Sequence, residues 1–171
     1  KQCLNQGIIP VVLGGDHSSP FGLIKALSEV YDSFGILHID AHADLRNSYQ
    51  GFTYSHASIM YNAMKMKQLD KLIQVGIRDY CTEEAQFIEA SENRIITFSD
   101  RKISNEIYQG ISWNNIVKNI VNHLPNKVYI SFDIEGLDPN LCPNTGTPVP
   151  GGLSFNQALF IIESICNSGK Q

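Results

Sequence analysis

The sequence predicts an α/β fold, a mostly parallel sheet with helices on both faces. Three observations predict it. Short apolar runs recur along the 171 residues, at Ile8–Leu13, Phe34–Ile39, Leu72–Ile77, Arg94–Phe98 and Lys127–Phe132. Between them lie stretches whose apolar residues repeat at helical spacing, the alternation that builds parallel sheets through crossover helices. The runs are nearly continuous rather than alternating, as strands covered on both faces must be.

Taken in order, Ile8–Leu13 is the first expected strand, with Pro10 near its start or on an edge because it cannot donate to a ladder. It ends in Gly14-Gly15-Asp16-His17-Ser18. Ser18 or Ser19 then suits a helix cap, with Pro20 at or near the first helical position. Leu23, Ile24, Ala26, Leu27 and Val30 mark the buried face of that helix. Phe34–Ile39 is the second strand. Residues 45–55 are polar and aromatic without periodicity, a loop at a strand's carboxyl end, where α/β proteins place their chemistry. His56–Met66 has helical character, and its methionines read as packing. Leu72–Ile77 is a strand, Thr82–Ile88 a helix with acids at its positive end, and Arg94–Phe98 a short strand. Trp113–Leu124 is a helix with Ile116, Val117, Ile120 and Val121 inward. Lys127–Phe132 is the last clear strand. A loop rich in Pro and Gly leads to a final helix, Phe155–Ile165, capped by Ser154. No repeat or low-complexity segment interrupts the chain.

Composition narrows the class. Thirteen Lys+Arg against seventeen Asp+Glu give a net charge of -4 with no basic run, which argues against a nucleic-acid partner. No apolar stretch approaches the roughly 20 residues that cross a bilayer, and no signal-peptide pattern opens the chain. Cys3, Cys81, Cys142 and Cys166 are scattered without CxxC pairing, as free thiols in a reducing cytoplasm would be. The chain opens at Lys1 with a strand almost at once and stops at Gln171 just after a helix. The expectation is one domain over residues 1–171, truncated at both ends.

The chemistry concentrates at His38-Ile39-Asp40-Ala41-His42-Ala43-Asp44. In extended backbone, residues 40, 42 and 44 project to one side. Two carboxylates and an imidazole at such spacing repel and desolvate one another unless a cation neutralises them. An oxygen-rich set with imidazole suits Mn2+ better than a thiolate-seeking ion. Asp133 and Glu135 share a face by the same period, and His17 follows another strand. Carboxyl ends of parallel strands lie along one rim, so these groups can meet and hold one or two ions. The plainer readings are a turn role for His17, a cap for Asp133 and a turn role for Asp16.

Gly14-Gly15-Asp16-His17-Ser18, His38–Asp44, Ser131-Phe132-Asp133-Ile134-Glu135-Gly136-Leu137-Asp138-Pro139, Thr145-Gly146-Thr147-Pro148 and Gly151-Gly152 resemble, in order, the signatures of the ureohydrolases. That family comprises arginases, agmatinases and formiminoglutamases. The resemblance implies a three-layer α/β/α arginase-like fold, here a partial domain, and two Mn2+ per subunit. By motif position, His17, Asp40, Asp44 and Asp133 would hold one ion. Asp40, His42, Asp133 and Glu135 would hold the other. The family has aspartate where this chain has Glu135, and its later guanidinium-binding glutamate lies beyond Gln171.

The resemblance further implies hydrolysis of a guanidino compound to urea and an amine, with Asp44 passing a proton to the departing nitrogen and His56 as proton relay. Arg46 and Glu84 are the expected substrate contacts. Arg46 stands where arginases carry an asparagine that reads the amino acid's carboxylate, and Cys81 stands where they carry an acid. Agmatine, converted to urea and putrescine, is therefore the favoured small-molecule substrate. Arginine or another guanidino or formimino compound is the alternative. A two-metal deacetylase relative and a non-catalytic homologue are the rival classes. The family likeness also suggests a cytoplasmic homo-oligomer, trimer or hexamer.

Overall fold

The computed structural model describes residues 1–171. Four strands form one parallel sheet: β1 (Phe34–Ile39), β2 (Leu69–Val75), β3 (Ile95–Phe98) and β4 (Val128–Phe132), in the order β3-β2-β1-β4. The helices are α1 (Gln2–Asn5), α2 (Phe21–Ser28), α3 (Ile59–Met64), α4 (Thr82–Glu89), α5 (Asp100–Tyr108), α6 (Trp113–His123) and α7 (Phe155–Cys166). None is long and apolar enough to cross a membrane.

All six residues of β1 are buried, so it runs through the middle of the molecule. Its two faces feed two cores. Leu37 and Ile39 join Ile73, Val75 and Phe98 against Ile116, Ile120 and Ile161 of α6 and α7. Phe34 and Ile36 join Leu72 and Ile95 against Ile24 and Leu27 of α2 and Ile59, Met60 and Ala63 of α3. This is the expected α/β/α layering. Each fully buried Ile or Leu in these layers contributes roughly 1.5–3 kcal/mol through removal of apolar area from water.

The first apolar run departs from expectation. Residues 8–13 form no ladder, and Ile9, Val11 and Leu13 are 86%, 86% and 99% exposed. An apolar run becomes a strand only where a neighbouring edge supplies partners for its amides and carbonyls. The outer edge of β4 is engaged at its start by Gln171 instead. Val128 N–H donates to the Gln171 carbonyl at 2.7 Å, and Gln171 N–H donates to that of Asn126 at 2.7 Å.

Smaller corrections follow from local chemistry. Pro20 itself is the N-cap of α2, with no side-chain cap. The Ser18 and Ser19 hydroxyls turn back on Asp16, donating to its Oδ1 and its carbonyl at 2.5 and 2.7 Å. They build the turn that presents His17 rather than starting the helix. Strand β2 stops at Val75, short of Ile77, because Gly76 adopts φ +92° and turns the chain. The segment from His56 is a 3₁₀ turn (His56–Ser58) leading into α3. Helix α5, unassigned from sequence, carries few apolar residues. Ser99 caps it by accepting from Lys102 N–H, and Ile103 anchors it.

Candidate metal centre

The carboxyl ends of β1 and β4 and the turn at residues 14–18 meet at one rim, opening onto a cleft of about 650 Å³. Beyond β1, the chain turns at Asp44 with φ +55°. The Asp44 carbonyl accepts the amides of Met60 and Tyr61, both at 3.1 Å, at the start of α3. Its carboxylate thereby stays at the rim while its backbone closes the 45–58 loop. Beyond β4, Asp133 Oδ1 accepts the Glu135 amide at 2.9 Å and forms the 3₁₀ turn Ile134–Gly136. Gly136 has no alternative there, since a β-carbon would lie 2.9 Å from the Asp40 nitrogen.

His17 Nδ1 faces three carboxylates: Asp44 Oδ2 at 2.8 Å, Asp40 Oδ2 at 2.9 Å and Asp133 Oδ2 at 3.4 Å. His17 Nε2 lies 2.8 Å from Ser131 Oγ, so the ring is held from behind. On the other side of Asp40, His42 Nδ1 lies 3.1 Å from Glu135 Oε2 and 3.4 Å from Asp40 Oδ1. Asp40 thus belongs to two groups of convergent ligand atoms, one with His17, His38 and Asp44 and one with His42 and Glu135. The longer side chain of Glu135 still brings its carboxylate to His42. Thr147 holds it there through its amide at 2.8 Å and its hydroxyl at 2.9 Å.

The electrostatics are those of a site that wants positive charge. Burial raises the carboxyls of Asp44 and Asp133, with Asp40 adding to both. Burial opposes the Asp40 charge as well, but His17, His38 and His42 outweigh it and hold Asp40 well below the usual range. Burial likewise opposes charge on His17, yet the closely approaching carboxylates of Asp40 and Asp44 push it up to about 10. His42 is raised chiefly by Asp40. Burial would raise Glu135, but Thr147, Thr145 and His42 bring it below its ordinary value.

The donor set fits a cation on geometry too. His17 Nδ1 and Asp44 Oδ2 are buried and make no properly aligned hydrogen bond, although they lie 2.8 Å apart. Two buried atoms this close that form no hydrogen bond are how metal ligands look without their ion, since buried polar atoms are otherwise paired.

The remaining expected residues line the same cleft. His56 is exposed at its rim, edge-on to Tyr49 with ring centroids 5.5 Å apart. Arg46 is half-buried in its wall, its guanidinium 5.5 Å from the Tyr49 ring centre and its Nε 3.8 Å from Glu84 Oε2. Glu84 is only 3% exposed, and both of its oxygens accept backbone amides, Leu45 N–H and Cys81 N–H, each at 2.9 Å. Asp16 is occupied by Ser18 and Ser19.

His38 is the residue the sequence reading passed over as a participant. It is fully buried, and its Nε2 lies 2.9 Å from Asp40 Oδ2. The signal was present, because residue 38 is an imidazole two places before Asp40 at the end of the same apolar run. Arg78 is a second such residue. Its guanidinium donates to the carbonyls of Gly76, Glu135, Leu137, Val149 and Pro150, tying the Thr147 loop to the rim.

A parallel α/β/α layering with a carboxylate–imidazole cluster at the strand carboxyl rim defines an α/β protein with a candidate metal-binding rim. The chain belongs to the arginase family, whose model matches residues 1–171. It is 38% identical over 162 residues to the N(1)-aminopropylagmatine ureohydrolase of Thermus thermophilus, covering 95% of this chain and 52% of that protein. It is 34% identical over 160 residues to a mitochondrial arginase of Medicago truncatula, covering 91% and 44%. The crystal structure of the agmatine ureohydrolase of Thermoplasma volcanium superposes with a TM-score of 0.80 at 29% identity, covering 99% of this chain and 54% of that one. The chain spans about half the length of the curated relatives it matches.

Proposed function

We propose that this chain carries the metal centre of a manganese-dependent ureohydrolase that converts a guanidino compound, agmatine in preference, to urea and an amine. The observation that carries the reading is His17 Nδ1, buried and unaligned among three carboxylates. His17, Asp40, Asp44 and Asp133 would hold one Mn2+, and Asp40, His42, Asp133 and Glu135 a second. When bound, such a pair supplies a hydroxide nucleophile at neutral pH and Lewis-acid stabilisation of the charge that develops.

The chain's own groups do the rest. Asp44, at the end of the ligand cluster, is suited to pass a proton toward the departing nitrogen. His56, at the open rim, is suited to exchange protons with solvent. Cys81 in place of an acid and Arg46 in place of an asparagine replace the arginase-type readers of an α-amino acid head, which supports agmatine over arginine.

Arg46 supports a second reading. A guanidinium in the cleft wall recognises carboxylate well, so a guanidino acid is the alternative substrate. The same reading extends to a cytoplasmic homo-oligomer, on family likeness alone.

The test is urea release by the intact protein with Mn2+ on agmatine, arginine and guanidinobutyrate. Agmatine is expected to lead. Preference for guanidinobutyrate moves the assignment to the carboxylate-reading role of Arg46. Bound Mn2+ without urea from any of the three would overturn the enzymatic reading.

A further inference from the structure

Beneath the metal ligands, one polar residue from each strand lies in register across the whole sheet. Thr97 of β3 pairs with Gln74 of β2, Gln74 with His38 of β1, and His38 with Ser131 of β4. Gln74 and His38 are fully buried, Gln74 between Ile73 and Val75 and His38 between Leu37 and Ile39. Such groups cost stability unless paired, and here every pairing is directional.

Gln74 has one orientation open to it. Its Nε2 donates to the Ala43 carbonyl at 2.8 Å, an atom that can only accept, and its Oε1 accepts the Thr97 hydroxyl at 2.9 Å. The second amide hydrogen then points at His38 Nδ1, 3.1 Å away. A ring nitrogen that accepts carries no proton, so the proton of the neutral ring sits on Nε2. That nitrogen lies 2.9 Å from Asp40 Oδ2. The other Asp40 oxygen accepts the His42 amide at 2.9 Å.

We infer that Gln74 and His38 are positioning residues for the metal centre. Thr97 and the Ala43 carbonyl orient the Gln74 amide, Gln74 fixes the His38 tautomer, and His38 Nε2–H aims the carboxylate shared by both ligand groups. Asp40 is pinned at each oxygen from the strand side, so its plane is set before any cation arrives. Gln74 also ties the backbone between His42 and Asp44 to the same row, so one amide couples the shared ligand to its neighbour. His38 is thereby a donor to a ligand and not itself a ligand. This rests on the binuclear reading above. Residues that orient metal ligands in this way are typically worth about 10–100-fold in metal affinity.

The experiment uses the intact protein. His38→Leu and His38→Gln are compared by calorimetric titration with Mn2+, with thermal unfolding of the metal-free proteins as the check on folding. His38→Leu removes the donor and is expected to weaken Mn2+ binding by about 10–100-fold. His38→Gln, whose amide nitrogen reaches the place of Nε2, is expected to recover most of that loss. Gln74→Leu is expected to weaken Mn2+ binding when His38 is present and to matter much less alongside His38→Gln, where no tautomer remains to fix.

Nitrogen-edited NMR of the metal-free protein gives a readout independent of metal, and the Nε2–H tautomer is expected. An Nδ1–H tautomer, or equal losses in the leucine and glutamine variants, would overturn the proposal. Failure of the unaltered protein to take up Mn2+ would instead overturn the binuclear reading, and the tautomer measurement would still decide the Gln74–His38 relationship.

Discussion

Thr147 grips both oxygens of Glu135, its amide donating to Oε1 at 2.8 Å and its hydroxyl to Oε2 at 2.9 Å. A glutamate has one more rotatable bond than the aspartate expected at this place, and this grip removes the freedom that the extra bond adds. Thr147→Val deletes the hydroxyl contact and keeps the amide. Loss of such an orienting hydrogen bond is expected to weaken Mn2+ binding at the His42–Glu135 side by about tenfold, with Thr147→Ser close to the original. A competition titration that finds Thr147→Val unchanged would remove Thr147 from the site's support.

Arg78 acts on the same loop from below. Its side chain is committed to five carbonyls, two of them in the 145–152 loop, one in the Glu135 turn and one just after it. Lysine keeps the charge but offers three donors from one point instead of a planar fork. Arg78→Lys is expected to lower unfolding stability by about 1.5–3 kcal/mol, the range for hydrogen bonds to a charged group. Denaturant unfolding measures it. A midpoint unaltered by the substitution would show the clamp to be dispensable.

How far the sequence foretold this depends on what each element needs. Strands β1, β2, β3 and β4 were legible because each contains a short apolar run, which the helical layers bury throughout in β1 and in part in the other three. The rim cluster was legible because acids and imidazoles crowd the ends of apolar runs, although turns and not extended chain bring them together, Asp44 at φ +55° and Ile134–Gly136 as a 3₁₀ turn. The run Ile8–Leu13 misled because apolarity reports a preference for burial, whereas a strand also needs an edge to pair with. Glu84 looked available as an acid at a helix start, but its partners are the amides of Leu45 and Cys81, and nothing in the local pattern announces the one 39 residues away. The row Thr97–Gln74–His38–Ser131 was invisible for a related reason. Each member sits between two apolar neighbours in its own strand, and only the strand order and register bring the four together.

The charge pattern sets a pH dependence whose sign can be worked out. His17 is raised from its ordinary value to about 10 by Asp40 and Asp44 against the opposing effect of burial. A group raised in the folded state contributes stability that is fully present below its unfolded value, about 6.5 for histidine, and is lost as pH rises through the folded value. His42 shifts in the same direction. The metal-free protein is therefore expected to melt at progressively lower temperature from about pH 6.5 to about pH 10. Ligation needs the His17 proton gone, so Mn2+ affinity should climb over the same interval, because metal binding releases protons from its ligands. Thermal melts and titrations across that range test both halves. An affinity independent of pH would mean that His17 is not a ligand.

Glu84 separates a role in substrate contact from a role in architecture. Both of its oxygens receive N–H groups, one from the residue after Asp44 and one from the residue that starts α4. A glutamine there must turn its NH2 toward one of those amides, setting donor against donor in a site only 3% exposed. Leaving a buried donor unsatisfied costs about 1–3 kcal/mol, so Glu84→Gln is expected to destabilise the protein by that much with no substrate present. Because Leu45 adjoins Asp44, the same change should loosen Mn2+ binding. If Glu84→Gln instead melts at the original temperature, binds Mn2+ as before and alters only KM for the guanidino compound, the carboxylate belongs to the substrate and not to the loop.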